Sequence, residues 1–377
     1  MRSVLKINIV CCIISLLCFS SSCKKKDKST NPDTTKDDFD RKAMLTNVGN
    51  NVILPAYQNF NRSCVKLDST IVDFNLSPDI TKLSNLQSIF KDTYRVWQSS
   101  SSFGFGPADD AYLSKNTNTF PTDSVKINSN LNSTYNLDAI SNLDARGLPA
   151  MDYLLFGLAT DNNSILIKYT TDGQATKRKQ YLAALSAALK TNISTVLSNW
   201  SAGGNYMNTF LNATGTDVGS SLGQFINQLD FDLEILKNYK LGVPLGKQSM
   251  GTPFPAKVEA YYNGISSELA LLQIKSIENI YLGKSIQGVD GQGLDDYLIK
   301  INAQYNGGSL NDAIKNQFSA AITKLQAVPD PLSNNITSNP TVVNAAYIEI
   351  QKLVVLLKTD LPSALGVLIT YEDTDGD

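Results

Sequence analysis

The stretch Ser77-Pro78-Asp79-Ile80-Thr81-Lys82-Leu83-Ser84-Asn85-Leu86-Gln87-Ser88-Ile89-Phe90-Lys91-Asp92-Thr93-Tyr94-Arg95-Val96-Trp97 decides the fold class. Ile80, Leu83, Gln87, Phe90, Tyr94 and Trp97 recur at spacings of three and four, the period of one face of an α-helix. Ser77-Pro78 in front of them reads as a helix start, with serine as N-cap and proline in the first turn, where its missing N–H costs nothing.

The same period recurs on both sides. Val48, Val52, Ala56 and Phe60 are four apart, with Cys64 one further step along as a small core residue. Pro55 inside this run predicts a kink, because it cannot donate to residue 51. Leu182, Leu185, Leu189, Ile193, Val196 and Trp200 form a third stripe, and Leu222, Phe225, Leu229, Leu233 and Leu236 a fourth. Val258, Tyr261, Ile265, Leu269 and Leu272 predict a fifth helix. Ser309 to Asp312 resembles a capping box that opens a sixth through Phe318, Ile322 and Leu325. A last apolar helix is expected over 341–359, stopping before Pro362. No long period-two alternation occurs, and Ile165-Leu166-Ile167 is the only brief strand candidate. The expected fold is therefore all-α, two antiparallel helical-bundle domains over 40–205 and 206–377, with the Gly-, Ser- and Asn-rich stretch 201–221 as the link.

The N-terminus reads as an export signal. Arg2 and Lys6 form a basic head, Ile7 to Phe19 a short apolar run, and Ser20-Ser21-Ser22 a small-residue site before Cys23. The run is shorter than the roughly 20 residues a membrane span needs. Residues 1–22 are thus expected to be a lipoprotein signal peptide, Cys23 the lipidation site that ties the chain to the membrane, and residues 23–39 a polar, flexible tether. On that expectation Cys11, Cys12 and Cys18 leave with the signal, and Cys64 remains alone, without an internal disulfide. Loss of Arg2 and Lys6 takes the formal charge from −2 to −4. Such mild acidity gives no basic patch for nucleic acid.

The 377 residues contain no histidine, which excludes a Ser-His-Asp triad, a Cys-His pair and any imidazole-built zinc site. A metal would have to be held by oxygen, which suits hard cations or ferric iron.

Three segments carry a family likeness. They are Asn51-Val52-Ile53-Leu54-Pro55-Ala56-Tyr57, Phe103-Gly104-Phe105-Gly106-Pro107, and Arg146-Gly147-Leu148-Pro149-Ala150-Met151-Asp152-Tyr153-Leu154-Leu155-Phe156-Gly157. With Gly291-Gln292-Gly293-Leu294-Asp295-Asp296 and the stretch from Leu365-Gly366 to Asp375-Gly376-Asp377, in this order, the chain resembles the imelysin, or M75 peptidase, family. The resemblance implies two helical bundles in an envelope protein. The family includes insulin-cleaving peptidases and proteins tied to iron uptake. It also implies a site of pattern Gly-x-His-x-x-Glu. On this chain Gly147 meets the glycine, Pro149 stands at the histidine position and Asp152 at the glutamate position. A proline has no ligand atom and no acid–base function, so the metal chemistry of the motif is expected to be lost while its shape is kept, with Asp152 near a helix N-terminus.

Other acidic groups leave two readings each. Asp144, Arg146 and Asp152 form either a polar pocket or a buried ion pair. Asp152 and Asp290 are candidate oxygen ligands for iron, and Asp290, Asp295 and Asp296 either wrap a cation or cap the next helix. Asp109-Asp110 reads as a helix start. Asp373 to Asp377 lacks the spacing of a calcium loop. Trp97, Phe103 and Phe105 read as core anchors. Three functions remain in view: a non-catalytic envelope component linked to iron or haem uptake and its envelope partners, a carboxylate-only metal peptidase, and a structural surface lipoprotein.

Overall fold

The computed structural model describes residues 38–370. The expected signal, Cys23, all of the tether before residue 38 and the Asp373–Asp377 segment lie outside the described residues. The described chain is mainly helical, and from Phe39 onward it forms one compact unit. One group of helices comprises Leu54–Leu76, Ile80–Trp97, Gly147–Phe156, Asn162–Thr170 and Ala175–Trp200, with the first, second and last packed most closely. The other comprises Ser221–Glu234, Ser266–Tyr281, Leu310–Gln326 and Pro340–Val355. The stretch 201–221 contains a short helix, Tyr206–Asn212, whose Phe210 stacks on Phe105 at 6.0 Å.

Most stripe residues bury as expected, but Tyr261 is exposed and Leu272 and Ile322 are half-buried. Leu83, Gln87, Phe90, Tyr94 and Trp97 are inside, as are Val48, Val52, Ala56, Phe60 and Cys64. Ile80, at the open end of its helix, is exposed. The start of that helix lies two residues later than expected. Asp79 is the N-cap and accepts from the Lys82 N–H at 2.8 Å, while Ser77 closes the preceding helix. The strand candidate Ile165-Leu166-Ile167 is helical, because Asp161 caps Asn162–Thr170 and Ile165 and Tyr169 bury one turn apart. A two-residue hairpin, Gln304–Tyr305 against Gly308–Ser309, is the only pairing among the described residues.

Pro362, expected to follow the end of its helix, lies inside it, and helical turns also run on through Pro55 and Pro244. Pro55, Pro244 and Pro362 each sit two residues past the end of a widened, π-type turn, at Val48–Ile53, Ile235–Gly242 and Leu356–Asp360. In each case the residue just before the proline donates five positions back: Leu54 to Gly49, Val243 to Asn238, Leu361 to Leu356. Widening moves the carbonyl that the proline ring would strike, so the helix runs on. The last helix therefore continues past Pro362 to Leu365.

The largest departure is at 258–265. This segment is a set of turns, and the helix starts only at Ser266. Ala260 and Gly264 both have positive φ, which no helix accommodates. The start at Ser266 is enforced from outside the segment, since Asp330 accepts from the Ser267 and Glu268 N–H groups at 2.7 and 3.0 Å.

Candidate functional site

The family-motif segment folds as a helix, Gly147–Phe156. Gly147 has φ +71°, and a Cβ there would lie 2.3 Å from the Thr117 carbonyl oxygen. Pro149 occupies the first turn, where its missing N–H has no helical acceptor to lose. Asp152 lies in the second turn, not at the N-terminus where the dipole would hold it. Its support comes from the turn segment of the other helix group. Oδ2 accepts from the Tyr262 N–H at 2.9 Å, and Oδ1 accepts from the Asn263 N–H at 3.1 Å and Asn263 Nδ2 at 2.6 Å. The motif carboxylate thus stitches the two helix groups together.

Asp144, Arg146 and Asp152 do not converge on one pocket. Asp144 pairs with Lys126 Nζ at 2.5 Å and Arg146 donates to the Leu137 carbonyl at 2.5 Å. Asp290 is exposed on its loop. Asp296 accepts from the Gly293 N–H at 2.9 Å, a capping role, and Asp295 is pushed up to about 6 by burial and by the neighbouring Asp296. Among the described residues, no three His, Cys, Asp or Glu side chains gather to hold a metal. The motif position itself does not fit one: Pro149 offers no ligand, and both oxygens of Asp152 already accept N–H donors. Cys64 is a core residue whose thiol is pushed up by burial.

Burial also pushes the Asp152 carboxyl up, to about 7, against the lowering effect of its three N–H donors and of Lys91. Folded Asp152 therefore holds a proton over the interval from about pH 4 to 7 in which an unfolded aspartate has lost it. The stability from this group is complete below about pH 4 and is lost as pH rises through about 7. Asp152→Asn removes that titration. In urea unfolding, the wild type should lose about 2–3 kcal/mol relative to this variant between pH 5 and pH 8; a constant difference would show that the group does not titrate in this range.

The principal buried polar cluster lies elsewhere, and the stripe analysis missed it. Lys240 and Glu259 form an ion pair at 2.7 Å with side chains 3 and 1 % exposed. Lys240 also donates to Gln98 Oε1 at 2.7 Å. Glu259 Oε1 accepts from Asn118 Nδ2 at 2.7 Å and from Gln98 Nε2 at 3.2 Å, and Tyr94 donates to Asn118 Oδ1 at 2.7 Å. Next to this chain of groups, Asp232 Oδ2 accepts from the Ser101 and Ser102 hydroxyls. Burial pushes the Asp232 carboxyl up, and Ser102, Gln273 and Lys240 partly offset this. Lys240 lies in the widened turn Ile235–Gly242 and Glu259 in the turn segment that replaces the expected helix.

These groups border a cavity of about 540 Å³ between the helix groups. Trp97, Gln98, Asp232, Lys240 and Gln273 line its inner part, and Tyr112, Phe231 and Tyr239, which are partly exposed, line the outer part. A signal for part of this was present in the sequence. Lys240 continues the stripe Leu229, Leu233, Leu236 at the next step of four, and Gln98 follows Tyr94 by the same step. A polar group on an apolar face must find a buried partner. Glu259 carried no such signal, because its segment was read as helix.

Comparison with known proteins agrees with this architecture. The family model described as Imelysin, Peptidase_M75, matches residues 53–359. Iron-regulated protein A of Synechococcus elongatus is 21% identical over 296 residues, covering 76% of each chain. Among solved structures, one described as an iron-regulated protein A precursor from Parabacteroides distasonis has a TM-score of 0.71 at 17% identity, with 86% of this chain and 94% of that one covered. An imelysin-like protein from Psychrobacter arcticum has a TM-score of 0.65 at 18% identity, over 88% and 97% of the two chains. With the all-helical fold and a family match across most of its length, the chain belongs to the imelysin family.

Proposed function

We propose that this protein is a lipid-anchored, non-catalytic binding component of the cell envelope, linked to iron or haem uptake. The names of its relatives, iron-regulated protein A and its precursor, support an iron-related and exported protein. The observation that carries the non-catalytic part is the state of the motif. Pro149 stands at the histidine position, and the Asp152 carboxyl is buried, 1 % exposed, and held by three N–H donors of the Tyr262–Asn263 turn. A general base must reach a substrate proton, and a ligand must offer a lone pair to the metal. Anchoring through Cys23 rests on the short apolar run and small-residue site before it.

The test combines three measurements. Purified protein incubated with insulin or casein, with and without added zinc or iron, should give no cleavage above that of Asp152→Ala. Chelator-sensitive cleavage that disappears in Asp152→Ala would establish the carboxylate peptidase instead. Cells fed labelled palmitate should label the wild type and not Cys23→Ser. Pull-down from envelopes of iron-starved cells should recover uptake components; recovery of none, with no binding of iron or haem, would leave a structural lipoprotein.

A further inference from the structure

We propose that the cavity between the helix groups binds a small organic ammonium ion with an apolar body, a ligand class that rests on the binding role proposed above. The volume of about 540 Å³ is in the range of small-molecule sites. Its inner part is built to receive a donor. Gln273 is 1 % exposed and lines the cavity, and its Oε1 has no hydrogen-bond partner. The amide orientation is fixed, because Gln273 Nε2 donates to the Asp232 carbonyl at 3.1 Å; turning it over would set oxygen against oxygen. Asp232, whose side chain also lines the cavity, supplies a carboxylate beside this unpaired acceptor.

The charge balance favours a cation. The buried cluster holds one ammonium, Lys240, against two carboxylates, Asp232 and Glu259. Lys240 is committed to Glu259 and Gln98, and this leaves Asp232 with neutral donors only, the Ser101 and Ser102 hydroxyls and the Gln273 amide. At the rim, Asp109 and Lys115 carry opposite charges, with Lys115 Nζ set over the Tyr112 ring. An entering ammonium gains Asp232 and Gln273 as acceptors in a low-dielectric site, where each contact is stronger than in water. An anion would face Asp232, and the one ammonium of the inner cluster, Lys240, is already committed. The outer wall adds Tyr112, Phe231 and Tyr239, 60, 42 and 39 % exposed, which can cover an apolar body, and the Phe231 and Tyr239 ring faces attract a cation.

The probes are phenethylammonium, 2-phenylethanol and phenylacetate, which share one body and differ in charge, titrated calorimetrically into the full chain. The ammonium should bind about tenfold or more tightly than the alcohol, and phenylacetate most weakly. Asp232→Asn, close in shape, should abolish the preference for the ammonium over the alcohol. Gln273→Met provides the second variant should Asp232→Asn unfold, and should weaken the ammonium severalfold and the alcohol less, because a charged donor loses more than a neutral one. Phe231→Ala, at the exposed mouth, should weaken both. Equal affinity for ammonium and alcohol, tighter binding of phenylacetate, binding of ferric or calcium ion alone, or no binding of any probe would overturn the assignment. Such a failure beside absent proteolysis and intact capture of uptake components would leave the proposed function standing. Proteolysis with intact ammonium binding would sink that function alone.

Discussion

Lys240→Met lowers the unfolding free energy by about 3–5 kcal/mol, the cost of removing one partner from a buried ion pair. Glu259 would keep its charge among Asn118, Gln98 and the Ser266 hydroxyl that bonds its carbonyl, with no cation to offset desolvation. Gln98 Oε1 would lose its donor at the same time. Because these groups come from both helix groups, the loss falls on their junction as well as on one helix. Removing both charges is a different case. A Lys240→Met, Glu259→Gln pair should recover most of the loss, since a neutral, hydrogen-bonded replacement no longer strands a charge. Urea denaturation of the single and double variants measures both effects. A loss under 1 kcal/mol for Lys240→Met would mean that water reaches Glu259.

Gly147→Ala is expected to cost about 2–5 kcal/mol. A left-handed backbone carries about 1–2 kcal/mol of strain for alanine. The new methyl would also stand 2.3 Å from the Thr117 carbonyl oxygen and 2.7 Å from that of Asn116, and the second overlap term is of the size seen when a core is overfilled. Neither obstacle is the tip of a flexible side chain, so the backbone itself must move. Denaturant melts of this variant check the figure, and a change within 0.5 kcal/mol would show that the loop at 116–117 yields freely. The position gives Gly147 a steric reason that is independent of the proline at residue 149. The glycine serves the close passage of two backbones, which has no dependence on metal chemistry.

The contrast between Gly147 and Glu259 shows where sequence suffices. Stripes such as Leu182 to Trp200 depend only on helical period and burial, and these are local properties. The class of fold and the buried face of most long helices follow from them. The start at Asp79 instead of Ser77 is a contest between neighbouring caps, which local pattern resolves poorly. The turn segment 258–265 was out of reach for another reason. Its apolar residues fall at helical spacing, but Asp330, over 60 residues away, fixes where the helix begins. The site depends on the same long-range assembly. Gln98, Asp232, Lys240 and Glu259 meet only after the two helix groups have docked, and no spacing within one segment encodes that meeting. Asp152 was found by its motif, but its partners, the Tyr262 and Asn263 N–H groups, lie in the misread segment.

The three widened turns ahead of Pro55, Pro244 and Pro362 bear on how such chains diverge. Each holds one residue more than a regular helix of the same length needs, and that residue turns everything downstream by about 100°. A descendant that exchanges the proline for a helix former can drop one residue there and restore the original facing of the downstream side chains. Aligned relatives should therefore carry one-residue gaps concentrated within 48–53, 235–242 and 356–360, and absent where the proline persists.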